Sequence, residues 1–591
     1  MIKVEKLSYS YPTKDLYQKV SFSIEENRHA VLIGSNGTGK TTLVQILMDP
    51  DEFLYDGKVT RNISGRIGYV SQFEKREKER DITVFDFLAE DFVKLQAEME
   101  AVCAEMETAE DFDVLMERYQ QILDETTALD ADHYDSNIHK ELKTAGLSDL
   151  AELSISVISG GEYKLLQVIR QMLRKPSLLV MDEPDAFLDF ANLKGLKNLI
   201  NHYQGTLLVV THNRYLLNHC FDKILHLENT DIQEFDGNFV EYNFALLAKK
   251  IELQEVVAEQ EEEIERSRKV VEKMRATATK MAVASLGRAL HAKESYLERL
   301  EARKIKEPFV DLRQPEILLP QISEGELAEG EDAKEILNVE DYRVAYEETL
   351  LDQVCFSLKA NEKVAIVGAN GTGKTTLLRD IFRNNNNSIS IAQDVKVGFL
   401  SQIHEEMLKE TNTVYEEMEE VELLFENRKE IEDYLAKYCF DSEMLSNRIE
   451  MLSGGEKNLL QLAKIGRSQA NLLILDEPTS HLDTYTQLAL EKAIAEYQGA
   501  VLMVSHDFYT IVNCADYILF VEDKGIRKMR TRTFRKMIYE DHFKMEYLEL
   551  EQKKKELEQR IEGFLRKRDF ESARSVCEQL DETIKLMKDK I

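Results

Sequence analysis

Two glycine-rich segments carry the residue types needed to hold a chain of phosphates. Val31-Leu-Ile runs into Gly34-Ser35-Asn36-Gly37-Thr38-Gly39-Lys40-Thr41-Thr42, and Ala365-Ile-Val runs into Gly368-Ala369-Asn370-Gly371-Thr372-Gly373-Lys374-Thr375-Thr376. Each reads as an apolar strand, a loop and the start of a helix, in the pattern GxxxxGK[ST]. Glycine lets backbone N–H groups approach anionic oxygens closely. Lys40 and Lys374 are placed for the β- and γ-phosphates, and Thr41 and Thr375 offer a hydroxyl to Mg²⁺. The helix that follows turns its positive end toward the same charge.

The remaining chemistry repeats in the same order. Gln72 of Tyr69-Val-Ser-Gln matches Gln402 of Phe399-Leu-Ser-Gln. Ser159-Gly160-Gly161-Glu162 matches Ser453-Gly454-Gly455-Glu456. Asp182-Glu183 and Asp476-Glu477 close apolar runs, and His212 and His506 follow two more. Asp182 and Asp476 suit a metal held through water, with Gln72 and Gln402 bridging metal and water. Glu183 and Glu477 are placed to polarise the attacking water, worth roughly 10²–10⁴ in rate. His212 and His506 can hydrogen-bond the γ-phosphate. Strand alternation points adjacent side chains apart, so each Asp–Glu pair needs the chain to turn there to share one site.

The spacing from the SGGE serine to the glutamate is 24 residues in both copies, and from there to the histidine 29. From glutamine to SGGE it is 87 in the first copy and 51 in the second, so the first carries 36 extra residues. They fall within about 90–154, a charged stretch dotted with Leu and Met that reads as helices.

This ordered, doubled set resembles the ATP-binding cassette superfamily across about 1–240 and 312–535. The resemblance implies an α/β fold with two P-loop cassettes, binding ATP with Mg²⁺ and hydrolysing it. It implies head-to-tail closure within one chain, a monomer. One site would unite Lys40, Asp182 and Glu183 with Ser453–Glu456, the other Lys374, Asp476 and Glu477 with Ser159–Glu162. Tyr11 matches the aromatic that stacks on adenine, and Tyr346 is its counterpart.

Between the cassettes lies a helical linker, 241–311, whose stretch from about Tyr242 to Lys306 is long, charged and proline-free and reads as two helices around a tip near Thr277–Gly287. From Arg266 to Lys306 there are 12 Lys/Arg against 4 Glu, in a chain of net charge −33. The acidic bulk opposes polyanion binding, whereas a basic hairpin supplies salt-dependent contacts to phosphates. This organisation resembles the ABC-F family of soluble twin-cassette ATPases on the translating ribosome. It implies a ribosomal partner (rRNA or tRNA) for the hairpin and a role in translation control or antibiotic resistance. Leu475-Asp-Glu-Pro-Thr-Ser-His-Leu-Asp483 is close to that family's pattern. The first cassette departs from it at Asp185-Ala186-Phe187, at Thr211-His-Asn213 and at Tyr163-Lys164, which predicts unequal sites.

The second cassette is bounded at 312–537, with an acidic loop over 314–334 leading into it. A tail, 538–591, reads as a helical hairpin from Leu557, Ile561 and Leu565 and then Val576, Leu580 and Ile584. It reads as a coiled coil, and Arg568–Val576 faintly resembles the UVR motif of DNA-repair proteins. At 591 residues the chain needs several domains. No apolar run approaches the ~18 residues that span a bilayer, and the N-terminus has no apolar signal core. The expectation is a cytoplasmic protein. Its six scattered cysteines have no metal-ligand spacing. Two rival readings stand beside the ribosome: the ATPase subunit of an exporter with separate membrane subunits, and a DNA-associated ATPase.

Overall fold

The computed structural model describes the chain apart from residues 1, 12–13, 63–64, 73–80, 107–111, 187, 281–290, 292, 298–313, 322–333, 347–348, 421–426, 543–544 and 589–591. It divides into two compact units: 1–236 with 313–537, and 237–312 with 538–591.

The first unit holds both cassettes. In the first, strand His29–Ile33 lies between Thr206–Val210 and Lys223–Glu228, parallel to both. Leu178–Asp182 and Ile67–Val70 extend the sheet on one side, and the antiparallel Asp231–Asp236 closes the other. Lys363–Val367 occupies the same central place in the second cassette, between Ala500–Val504 and Tyr517–Glu522. Strands buried on both faces read as unbroken apolar runs, and all five residues of Leu178–Asp182 and of Leu472–Asp476 are buried. A three-stranded antiparallel sheet covers each core: Ile2–Tyr11 between Lys14–Ile24 and Asp56–Arg61, and Glu335–Ala345 between Thr349–Lys359 and Ile389–Ile391.

The longer interval of the first cassette holds the helices Val84–Met106, Phe112–Leu129 and Tyr134–Ala145, where the second has the shorter Val414–Glu419 and Arg428–Lys437. Phe92 stacks on Tyr134 at 5.4 Å, and Arg170 pairs with Glu90 at 3.0 Å, fixing this insertion to the helix Gly160–Leu173.

In the second unit, Phe239–Lys280 is one helix of 42 residues, about 63 Å long. Glu294 and Tyr296 reach back to Arg275 and Glu263 on it, at 2.8 and 2.9 Å, as a hairpin requires. The helix continues through Lys280, and residues 281–287, the rest of the expected tip, lie outside the described residues, as does acidic 322–333. The tail helices Met545–Arg566 and Phe570–Lys588 form the expected hairpin. They also pack on the long helix, a docking that the periodicity of the tail does not announce. Leu557, Ile561, Val576, Leu580 and Ile584 bury against Val240 and Ile251. Arg568 pairs with Glu261 at 3.3 Å, Lys588 with Glu241 at 2.6 Å, and Arg574 with Glu255. The acidic stretch of the long helix is thereby matched by the basic face of the tail.

Candidate functional site

Each glycine-rich loop leaves its central strand and enters a helix, Lys40–Met48 or Lys374–Arg383. The turn into the helix passes through Gly39 (φ 95°) and Gly373 (φ 88°), a left-handed conformation open to glycine at no steric cost. A Cβ on Gly39 would lie 2.8 Å from the Tyr17 hydroxyl, which donates to the Gly39 carbonyl. Both lysines are buried. Lys40 donates to the carbonyls of Gly34 and Ser35 at 3.0 Å, and Lys374 to those of Gly368 and Ala369 at 2.9 and 2.6 Å. Burial lowers the pKa of each ammonium, opposed by Glu183 at Lys40 and by Glu477 at Lys374. A dense anionic ligand would relieve that penalty. Thr38 and Thr372 brace the loops through hydrogen bonds to Ser35 and Ala369. The Tyr11 hydroxyl is 3.5 Å from that of Thr42, and Tyr346 stands exposed at the end of its strand.

The turn required between each aspartate and glutamate is present. Glu183 (φ 45°) and Glu477 (φ 49°) are left-handed, and their N–H groups donate to Val210 and Val504 on the neighbouring strand. A non-glycine residue held this way costs about 1–3 kcal/mol. Each glutamate interacts electrostatically with the aspartate before it, as two carboxylates sharing one neighbourhood do. Thr375 donates to Asp476 Oδ1 at 3.1 Å, while Asp476 Oδ2 is buried with no hydrogen-bond partner among the described residues. Burial raises Asp182, and raises Asp476 to about 6. It raises Glu183 to about 7, with Asp185 and Asp182 adding, and Glu477 to about 8, with Asp476 adding. His506 falls to about 4 and His212 lies well below its ordinary value, both chiefly from burial. Each is thus a neutral imidazole at pH 7.

The glutamates have different partners. Gln72 donates its side-chain amide to Glu183. Glu477 instead accepts the backbone N–H of His506 at 3.2 Å, with the ring Nε2 of His506 3.5 Å from its other oxygen. The departures in the first cassette sit here too. Asp185 accepts from Thr211 at 2.6 Å, and loss of solvent around its carboxylate raises it to about 6. Lys164 donates to the carbonyls of Ser71 and Gln72, so it anchors the segment that carries the glutamine. Thr479 and Asn458 occupy the equivalent places in the second cassette.

Ser159 and Ser453 cap their helices, and Glu162 and Glu456 reach back to complete capping boxes. Each capped helix start faces the loop of the other cassette. A cavity of about 510 Å³ is lined by Gly160 and Gly161 together with Lys374, Thr375, Gln402, Glu477 and His506. On the other side, a Cβ on Gly455 would come within 2.4 Å of the Asn36 side chain. Asn36 donates from its side chain to the His481 carbonyl at 2.7 Å and from its backbone to Asp483 Oδ2 at 3.2 Å. Asn370 donates from its backbone to Asp189 Oδ2, also at 3.2 Å. Neither Asp189 nor Asp483 is among the site residues expected from the motifs. Their repetition six residues after each glutamate is the signal that could have found them.

The ABC transporter family pattern matches residues 17–186 and 351–480, just over half of the chain. Similar proteins include the ABC transporter ATP-binding protein YfmM of Bacillus subtilis, 29% identical over 86% of this chain and 96% of that one. ABC transporter F family member 5 of Arabidopsis thaliana is 28% identical over 88% of this chain and 75% of its own length. The chain is a twin-cassette ATPase of the ABC-F type. This ATPase is also similar to the energy-dependent translational throttle protein EttA of Haemophilus influenzae, 27% identical over 87% of this chain and 90% of the relative. Its fold is like that of an archaeal ribosome recycling factor, aABCE1, with a TM-score of 0.53, 18% identity, and 90% and 92% of the two chains covered. Among the described residues, no helix is long and apolar enough to cross a membrane.

Proposed function

We propose that this ATPase acts on the ribosome, closing its cassettes over two ATP molecules and using hydrolysis to reopen them. The observation that carries the reading is the long helix Phe239–Lys280 with exposed Arg266, Arg268, Lys269 and Lys273 in a strongly acidic chain. Such a segment gives electrostatic, sequence-independent affinity for RNA phosphates, and the acidic remainder limits binding elsewhere. The similarity to a protein named for throttling translation supports the same reading. On this reading the ATPase works in the cytoplasm, as a monomer whose cassettes pair within one chain. An exporter subunit has no use for a helical segment of this length that turns basic from Arg266 onward.

In each site, the loop N–H groups and Lys40 or Lys374 bind the phosphates, Tyr11 or Tyr346 takes the adenine, and the opposite SGGE segment completes the γ-phosphate's surroundings. Thr41, Asp182 and Gln72 fit a Mg²⁺ ion, as do Thr375, Asp476 and Gln402. The unpartnered Asp476 oxygen beside Thr375 is the donor set a hard cation takes. The ion supplies charge neutralisation at the phosphates. Glu183 and Glu477 accept a proton from the attacking water, and neutral His212 and His506 donate to the γ-phosphate.

The Glu183→Gln/Glu477→Gln variant with ATP traps the closed form. Its sedimentation with ribosomes in a sucrose gradient, lost when ATP is omitted, is the expected result. Sedimentation with membranes, or nuclease-sensitive retention on DNA alone, overturns the proposal. Translation control and displacement of ribosome-directed antibiotics would use the same cycle, and drug susceptibility on expression distinguishes them.

A further inference from the structure

Beyond the nucleotide sites, the two halves of the cassette interface match position by position but differ in chemistry. Arg214 stands two residues after His212 and is buried. Its guanidinium donates across the interface to Glu491 and to Asp507, the latter at 2.5 Å, and lies 4.9 Å from the centre of the Tyr509 ring. Glu491 is further held by Thr510 at 2.9 Å and Asn513 at 2.8 Å. Both carboxylates are therefore fixed to the second cassette, and among the described residues Arg214 is the cation of the first cassette that pairs with them.

The residue at the place of Arg214 in the second cassette is Phe508. The places of Glu491 and Asp507 are held in the first by Lys197 and Asn213. Three positions differ together, in the sense that removes an ionic contact: no guanidinium, and a lysine where an acceptor would stand. Phe508 packs edge-on against Phe190 at 6.4 Å, and both pack on Phe534. The arginine set joins the His212 loop to the helix Thr484–Glu496, whose cap Asp483 touches the loop at Asn36, and through Asp507 to the residue that follows His506. The aromatic set joins the His506 loop to the helix Phe190–His202, whose cap Asp189 touches Asn370.

We propose that Arg214 is a positioning residue that latches the Lys40 half of the interface shut, so that nucleotide leaves the Lys40 site more slowly than the Lys374 site. Separating them leaves the buried guanidinium without its acceptors and both carboxylates without a counter-charge until water enters, which slows opening. Aromatic edges can part with no desolvated charge exposed. The inference rests on the assignment of the two loops as ATP sites.

The test uses full-length Glu183→Gln/Glu477→Gln protein loaded with a fluorescent ATP analogue and chased with unlabelled ATP. Two release phases are expected, and a further Lys40→Met substitution removes the slow one. Arg214→Met accelerates the slow phase about tenfold and leaves the fast phase in place. Arg214→Lys keeps part of the difference. A single phase, loss of the slow phase in Lys374→Met instead, or equal acceleration of both phases by Arg214→Met overturns the latch. If Arg214→Met does not unfold cooperatively, Asn513→Ala, which loosens Glu491 alone, is read the same way. An unchanged slow phase there overturns the proposal. Failure of the starting protein to bind the analogue at all overturns the underlying site assignment instead.

Discussion

Asn370 donates its backbone N–H to the carboxylate of Asp189 in the opposite cassette, and the other oxygen of that carboxylate caps the helix Phe190–His202 through Asn192 at 3.0 Å. Asp483 repeats this with Asn36 and Thr486. One carboxylate thus ties a helix start to a loop across the interface. Replacing Asp189 or Asp483 by Ala removes both bonds. The lost cap costs about 1 kcal/mol of stability. The ATPase should fall further than that, and its dependence on ATP should become less cooperative. Denaturant unfolding beside steady-state ATPase assays checks this. An ATPase loss no larger than the stability loss would show that the contact across the interface contributes nothing.

The different partners of Glu183 and Glu477 predict unequal turnover. Glu477→Gln leaves hydrolysis to the Lys40 site and Glu183→Gln leaves it to the Lys374 site. Each substitution should cut its own site by roughly 10²–10⁴. The Lys40 site, with Asp185 adding negative charge beside its glutamate, is expected to be the slower by about threefold or more. Equal residual rates in the two variants would refute the asymmetry.

The raised carboxylates set a pH dependence for the nucleotide-free protein. Glu183 at about 7 and Glu477 at about 8 stand above their ordinary 4.5. The folded state therefore binds more protons than the unfolded one between those values. Stability falls as pH rises through about 4.5 to 8 and levels off above, each tenfold gain in a carboxylate's proton affinity on folding being worth about 1.4 kcal/mol. Glu477→Gln should raise the unfolding temperature at pH 8 and leave it nearly unchanged at pH 4.5. Differential scanning calorimetry across that range measures it, and an equal gain at both ends would contradict the assignment.

The tail's apolar seam is a structural element of the second unit. Leu580 is fully buried between the tail helices and the long helix. Leu580→Ala should cost about 2–5 kcal/mol. Faster amide exchange is expected in both Phe570–Lys588 and the first half of Phe239–Lys280. Exchange confined to the tail would mean that the tail does not brace the helix.

The residues of the proposed nucleotide sites were legible as local motifs, doubled at fixed spacing, each tied to phosphate chemistry. The need for a turn between Asp182 and Glu183 was legible from strand alternation. Its solution, a left-handed glutamate, was not, because propensity disfavours it and only the neighbouring strand enforces it. Asp189 and Asp483 were visible as a repeat, but their second role depends on loops far away in the chain. The docking of the tail was hidden for the same reason. Arg574 and Glu255 are 319 residues apart, and no periodicity links them.

The strained turn at Glu183 and Glu477 bears on how such a protein can change over generations. Glycine at either position would relieve the backbone and leave no carboxylate to bury, so the folded state would gain while the proposed catalytic base was lost. Decay of a site is then downhill in stability, and only continued use of its reaction holds a glutamate there.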